Sequence, residues 1–336
     1  MDNTWQGKHG PLLIAEIGGN HEGDFGYAKA LTELAIESNV DYVKFQLYTG
    51  DSLVNPVVNP IRNKHFKKFE LSQDQYIELA EMCEAGGTNF MASVWNPDYI
   101  SWIDKYSKIY KIGSGDFTAY DVIEAFAKTK KPLLLSSGVS SMSDVVGTMK
   151  FVQSLDSVYN SKNNLGLLQC TSMYPIPPDD ANLNVMHSYQ KEFNAAIGYS
   201  DHTEGSYALE IAVAMGAEIL EFHFTDSREG KEFRDHKVSL TRDEVHQLIK
   251  KINIINRLKG SPIKEPLPVE GEHVTTFRRA VYLNKDMKAG ETIKASDLVT
   301  LRPNKGIDAR ESKRLIGLKL KSDIDKLEIL NMNNFI

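Results

Sequence analysis

Two lysines and two histidines, each in a short apolar run that ends on polar residues, carry the chemistry this sequence suggests. In Val43-Lys44-Phe45-Gln46, strand alternation sends the apolar side chains to one face and Lys44 and Gln46 to the other. The same rule turns Lys111 inward in Tyr110-Lys111-Ile112-Gly113-Ser114. A buried ammonium is costly unless an anion meets it. Two arrangements answer that cost: structural ion pairs with Glu16 and Glu221, or a site for an anionic ligand. Small hydroxyls at neighbouring run ends point to the ligand: Ser93, Ser114 between Gly113 and Gly115, Ser136 with Ser137 and Gly138, and Ser200. A phosphate takes several donors and two positive charges. Any one of these serines alone reads as turn chemistry, so the argument rests on their agreement over several runs.

The last two runs supply Ser200-Asp201-His202-Thr203 and Glu221-Phe222-His223-Phe224. Alternation puts Glu221 and His223 on the inner face, with His202 leaving the adjacent strand at the same height. Two imidazoles so placed can bind a divalent metal that keeps positions open for water and substrate. They can also work as general acid and base without one. Ser200, Asp201 and His202 are consecutive, so their side chains cannot align as a hydrolase triad, and no G-x-S-x-G is present. G-x-x-x-x-G-K-[ST], H-E-x-x-H and G-x-G-x-x-G are also absent, so nucleotide and nicotinamide cofactors are not implied.

What must position these groups is a repeated strand and helix. Eight apolar runs, 12–18, 41–48, 89–95, 108–114, 131–137, 164–171, 195–200 and 217–224, alternate with amphipathic stretches such as 27–37, 72–85, 120–128, 144–155, 207–215 and 242–258. Eight parallel strands with crossover helices predict a closed (β/α)8 TIM barrel, class α/β, with its reactive groups on the strand-exit rim. An open doubly wound sheet is the alternative. The barrel is expected over 1–259, a Pro- and Gly-rich linker over 260–276, and a small β-rich domain over 277–336, with strand-like pieces at Ala280–Leu283 and Leu298–Leu301. The 49–68 loop, with Pro56 and Pro60, reads as a lid or an oligomer contact.

The bulk properties set limits. With 41% hydrophobic residues over 336 positions the chain can bury a large core, and its net charge of −6 makes nucleic acid an unexpected partner. No apolar stretch approaches the roughly 20 residues of a membrane span, and the first ten residues lack a signal-peptide apolar region, so a cytoplasmic location with no membrane partner is expected. The two cysteines, Cys83 and Cys170, read as buried small apolar residues.

Taken together, these residues resemble the sialic acid (N-acetylneuraminate, or nonulosonate) synthase family over essentially the whole chain. The resemblance rests on Ile14-Ala15-Glu16-Ile17-Gly18-Gly19-Asn20-His21, Val43-Lys44-Phe45-Gln46, Tyr110-Lys111-Ile112-Gly113-Ser114-Gly115, Cys170-Thr171-Ser172-Met173-Tyr174-Pro175, Ser200-Asp201-His202-Thr203, His223-Phe224-Thr225 and Asp235-His236-Lys237. The tail, with Lys288-Ala289-Gly290-Glu291 and Arg302-Pro303, resembles that family's antifreeze-protein-like (SAF) domain.

The resemblance implies a transferase that condenses phosphoenolpyruvate with an N-acetylated hexosamine and water, giving a nine-carbon 2-keto sugar acid and phosphate. It implies that Lys44, Ser93, Lys111, Ser114, Ser136 and Ser200 hold phosphoenolpyruvate, and that His202 and His223 hold Mn2+ or Mg2+. Glu16 and Glu221 would serve catalysis, and Gln46, Asp116, Ser172, Tyr174 and Asp235 would contact the sugar. It further implies a domain-swapped homodimer in which Arg302 enters the partner's site. A linker of seventeen residues reaches roughly 50 Å when extended at about 3.3 Å per residue, enough for such an exchange. Ser172, Asp116, Ser93 and Phe222 depart from the family's usual asparagine, glutamate, threonine and basic residue, which leaves open N-acetylmannosamine or a diacetamido hexose as acceptor. A Schiff-base aldolase using Lys44 or Lys111, and a non-catalytic sugar-binding protein, are the rival functions.

Overall fold

The computed structural model describes residues 3–336, which divide into two compact units, one running through Gly260 and one from Ser261 to Ile336. In the first unit eight parallel strands form a ring: β1 (Gly10–Gly18), β2 (Tyr42–Leu47), β3 (Asn89–Val94), β4 (Tyr110–Ile112), β5 (Leu133–Ser136), β6 (Leu165–Cys170), β7 (Ala196–Asp201) and β8 (Ile219–His223). Each pairs with the next, and β1 pairs with β8 through Ile14 opposite Glu221 and Glu16 opposite His223, which closes the barrel. The expected TIM barrel is the fold, and the open sheet is excluded.

Alternation sorts the side chains as the sequence requires. Val43, Phe45 and Leu47 of β2 join the large core between strands and helices, whereas Tyr42 joins Trp5, Leu12, Ile14, Met91, Ile109, Leu134, Leu168, Ala196 and Ile219 inside the barrel. This apolar plug fills the lower interior, with Trp5 held by a 2.7 Å bond from its indole N–H to the Lys162 carbonyl. Above it the inward residues turn polar. The plug leaves no room for a side chain at position 198, where a Cβ would stand 2.2 Å from the Ile219 carbonyl oxygen and 2.7 Å from Leu168.

Six of the outer helices fall on the expected amphipathic stretches: Phe25–Glu37, Gln73–Ala85, Tyr120–Ala127, Met142–Leu155, Tyr207–Ala214 and Arg242–Lys259. Their starts are fixed by side-chain caps, with Asp24 accepting from the Tyr27 N–H and Ser72 and Ser141 forming capping boxes with Gln75 and Asp144. The sequence reading missed the helix Val185–Glu192, whose only buried residues are Met186 and Tyr189, too few to mark a stripe. It also missed Pro60–Lys67, which turns much of the expected loop after β2 into a short helix that buries only Asn63. Both cysteines are buried.

In the second unit, β9 (Ala280–Leu283) and β10 (Leu298–Leu301) pair antiparallel, at the positions read from sequence. Val281, Leu283, Met287, Ile293, Ile307, Leu315, Leu320, Ile324, Leu330 and Phe335 form its core. The 260–276 segment is not irregular throughout: it holds a 3-10 turn at Pro268–Glu270 and one helical turn at His273–Thr276. No helix among the described residues is long and apolar enough to cross a membrane.

Candidate active site

The upper barrel interior holds four buried charges. Lys44 of β2 makes a short ion pair with Glu16 of β1 and lies 3.5 Å from Glu221 of β8, while Lys111 of β4 reaches Glu221 at 3.2 Å. Of the two arrangements open from the sequence, the ion pairs with Glu16 and Glu221 are present, and the carboxylates compensate the ammonium groups within the chain. Both lysines stand where alternation put them, on one floor.

The two glutamates are not equivalent. Burial alone would raise both, but Glu221 faces both ammonium groups and accepts from Ser200 Oγ at 2.8 Å, which holds it well below the ordinary carboxylate range. Burial wins at Glu16, with a single ammonium in contact and the negative Glu221 nearby, and its carboxyl is pushed up. Burial likewise pushes Lys111 down, against the pull of Glu221. Lys44, between two carboxylates, is held up despite its burial. A kink in β1 delivers Glu16: the register with β2 shifts between Glu16 and Gly18, and Gly18 takes φ 54°. A Cβ there would come within 2.8 Å of the Glu16 carboxylate. Gln46, expected at the sugar, donates to Glu16 Oε1 at 2.9 Å.

Hydroxyls ring this floor. Ser93 pairs in register with Gln46 and Lys111. Ser114 accepts from the Gly138 N–H at 3.1 Å, and Ser136 Oγ is buried with no hydrogen-bond partner. Ser137 does not belong to this set. It turns outward, donating to the Leu168 carbonyl and accepting from the Tyr189 hydroxyl.

Above the floor, His202 and His223 stand with ring centroids 5.2 Å apart. His202 Nδ1 is tied to the Thr171 carbonyl at 2.9 Å, which leaves Nε2 for a ligand, and His223 Nδ1 is buried without a hydrogen-bond partner, 3.8 Å from Asp235 Oδ2. Burial pushes both imidazoles below their usual range, so they are neutral and carry lone pairs a cation can use. The donor set fits a divalent metal with two protein nitrogens and several open positions. Tyr174 packs on both rings, at 4.0 Å from His202 and 5.6 Å from His223.

Other expected contacts lie further out. Asp116 closes the 3-10 turn after β4, half-buried, and its carboxyl is pushed up to about 6 by burial and by Asp121. Ser172 is exposed in the loop after β6. Phe222, where a basic residue is usual, faces the helix layer and is fully buried there, away from the site. Arg302 lies in the second unit, its guanidinium 5.5 Å from the Phe277 ring.

Sequence reasoning passed over three contributors. Cys170 Sγ lies 3.9 Å from His202 Nδ1, and the alternation that turned Leu168 inward would have found it. Asn20 is fully buried and donates to the Phe224 carbonyl and Ser239 Oγ, stitching the exit of β1 to that of β8. Arg234 stacks on Tyr174 at 4.4 Å.

A closed parallel barrel that gathers paired lysines, carboxylates and imidazoles at its strand-exit rim is a TIM-barrel enzyme, here followed by a small β domain. The model of the NeuB family matches residues 31–264 and that of the SAF domain residues 278–336. The N-acetylneuraminate-9-phosphate synthase of Mus musculus is 34% identical over 335 residues, covering 95% of this chain and 91% of its own length. The N,N'-diacetyllegionaminic acid synthase of Legionella pneumophila is 33% identical, covering 93% and 91%. Among solved structures, the sialic acid synthetase of Leptospira borgpetersenii superposes with a TM-score of 0.72 at 28% identity, covering 78% of this chain and 90% of that one. The chain belongs to the NeuB family, with a C-terminal SAF domain.

Proposed function

We propose that the protein condenses phosphoenolpyruvate with an N-acylated hexosamine in its open aldehyde form, adding water and releasing phosphate, to give a nine-carbon 2-keto sugar acid. One observation carries this reading: a floor of two buried lysines and two carboxylates lies under two neutral imidazoles, ringed by serine hydroxyls of which Ser136 has no partner. The named relatives are synthases of such acids, and that supports it further.

Phosphoenolpyruvate binds by its phosphate and carboxylate to Lys44, Lys111, Ser93, Ser114, Ser136 and Ser200. His202 and His223 would hold Mn2+ or Mg2+, which would supply Lewis-acid polarisation of the sugar aldehyde. Carbon 3 of the enol phosphate forms the new bond to the aldehyde carbon, and the aldehyde oxygen takes up a proton. Glu16, the carboxyl pushed up by burial, is the group suited to hold that proton, and the ionised Glu221 stabilises the positive charge developing at carbon 2. Water adds at carbon 2, giving one proton back to Glu16, and the bond from that carbon to the phosphate oxygen breaks as the second water proton leaves with the phosphate. Gln46, Asp116, Ser172, Tyr174 and Asp235 orient the sugar.

The assembly we propose is a homodimer in which Arg302 of one subunit completes the site of the other. A phosphate-release assay over N-acetylmannosamine and the diacetamido hexoses, with and without EDTA, tests the reaction. Metal-dependent release with at least one of these sugars is expected, and none with any of them would refute it. The lowered Lys111 amine also suits a Schiff base. Borohydride reduction with substrate would trap a lysine adduct in that case and none in ours.

A further inference from the structure

We propose that His236 is a positioning residue: through Glu22 and Thr225 it pins the turn Asp235–Val238 so that Asp235 faces the site. This rests on the reading of Asp235 as a sugar contact. The turn follows β8, and its first residue stands at the imidazole pair, with Asp235 Oδ2 3.8 Å from His223 Nδ1. His236, the next residue, is buried and has a partner at each ring nitrogen. Thr225 Oγ1 lies 2.8 Å from Nδ1, and Glu22 Oε1 lies 3.2 Å from Nε2. Thr225 follows the end of β8 and Glu22 that of β1, the two strands whose pairing closes the barrel, so one imidazole ties the turn to both.

The partners fix the tautomer. A carboxylate only accepts, so the Nε2–H donates to Glu22, and burial keeps the ring neutral against the pull of that carboxylate. Nδ1 then carries the lone pair and takes the Thr225 hydroxyl proton. It is the nearest of three acceptors around Oγ1, with the Ser227 carbonyl at 3.0 Å and Asp226 Oδ1 at 3.1 Å. Glu22 reaches the ring from φ 52°, a left-handed conformation that a long side chain seldom takes and that persists only where surrounding contacts hold it. A second clamp closes the turn: Ser239 Oγ donates to the Asp235 carbonyl at 2.7 Å and accepts from Asn20 Nδ2 at 2.9 Å. With its backbone so held, Asp235 takes the Arg234 Nε–H on Oδ1 at 3.1 Å and keeps Oδ2 towards His223. Loss of the His236 clamp frees the turn and its carboxylate, while the lysine floor, built on β2 and β4, is untouched.

The test is steady-state phosphate release by the full-length protein, with acceptor sugar and phosphoenolpyruvate varied in turn. Glu22→Ala and His236→Asn should each raise the acceptor KM about fivefold or more and leave that of phosphoenolpyruvate within about twofold. The double variant should be no worse than either single one, because both break the same bond. Glu22→Gln, whose amide oxygen still accepts from Nε2–H, should keep an acceptor KM near that of the wild type. Glu22 is partly exposed, so Glu22→Ala carries the test if His236→Asn does not fold. A like rise in both KM values would mean a general structural role and overturn the proposal, as would additive effects in the double variant. Imidazole 15N NMR of the histidine-labelled protein without metal gives a readout independent of turnover, with the His223 signals assigned by their loss in His223→Ala. In Glu22→Ala these signals should move towards their positions in Asp235→Asn; unmoved signals would overturn the positioning role. Absence of phosphate release with every acceptor would count against the reaction alone, and the His223 signals would still decide the role of His236.

Discussion

Lys111 Nζ lies 3.2 Å from Glu221 Oε1, an ion pair that crosses the barrel interior from β4 to β8 on the opposite wall. Glu221 also contacts Lys44 and accepts from Ser200. One carboxylate thus joins three strands besides its own. Replacing it by a neutral isostere leaves two buried ammonium groups facing only Glu16, which lowers stability by about 3–5 kcal/mol. Glu221→Gln should therefore show a clearly lowered barrel melting temperature in calorimetry, together with lost turnover. An unchanged melting temperature would mean that this pair adds nothing to stability.

Much of the site was legible because strand alternation is a strict geometric rule. It placed Lys44, Lys111, Glu221 and His223 on one face, and all four are buried inside the barrel. It named Glu16 and Glu221 as partners for the lysines but could not decide between those ion pairs and an anionic ligand, since the partner of Lys111 lies 110 residues away. The outward turn of Ser137 was hidden for a related reason. Consecutive strand residues face opposite ways, so Ser136 and Ser137 could not both line the site, and only the Tyr189 contact shows which one left. The helices Val185–Glu192 and Pro60–Lys67 were illegible because neither buries enough apolar residues to mark a face.

The imidazole pair makes a metal prediction that does not depend on turnover. His202→Ala removes one of the two nitrogens proposed as ligands, and even second-shell losses weaken metal sites about tenfold or more. Free Mn2+ measured by electron paramagnetic resonance during titration should show that loss in His202→Ala and in His223→Ala, with the wild type binding one ion per chain. Unchanged affinity in both variants would remove the imidazoles from the metal site.

His21 supplies the pH prediction. Its ring is buried, Nδ1 accepts from the Gly23 N–H at 3.1 Å, and burial lowers its pKa to about 4. A base lowered from an unfolded value near 6.5 takes up its proton first in the unfolded chain, so acid favours unfolding. The stability present above pH 6.5 is lost as the pH falls towards 4, by about 2 kcal/mol between pH 6.5 and 5 at 1.36 kcal/mol per pH unit. His21→Asn removes that slope. Denaturant unfolding at pH 7 and pH 5 should show wild-type stability falling by about 2 kcal/mol more than that of the variant; parallel losses would mean that His21 titrates normally.

The exchanged-tail dimer can be tested by complementation, because a shared site has a fixed arithmetic. If Arg302 serves the partner's site, a hybrid of one Arg302→Ala subunit and one Lys111→Ala subunit holds one site damaged twice and one site fully native. Each variant alone has no native site. Random reassociation of equal amounts makes about half of the dimers hybrids, and half of their sites are intact, so about a quarter of wild-type activity should return. If Arg302 serves its own chain, every hybrid site carries one lesion or the other and mixing restores nothing. Mixed, dissociated and reassociated variants assayed for phosphate release separate the two cases, and activity no higher than the mean of the parent variants would rule out the exchange.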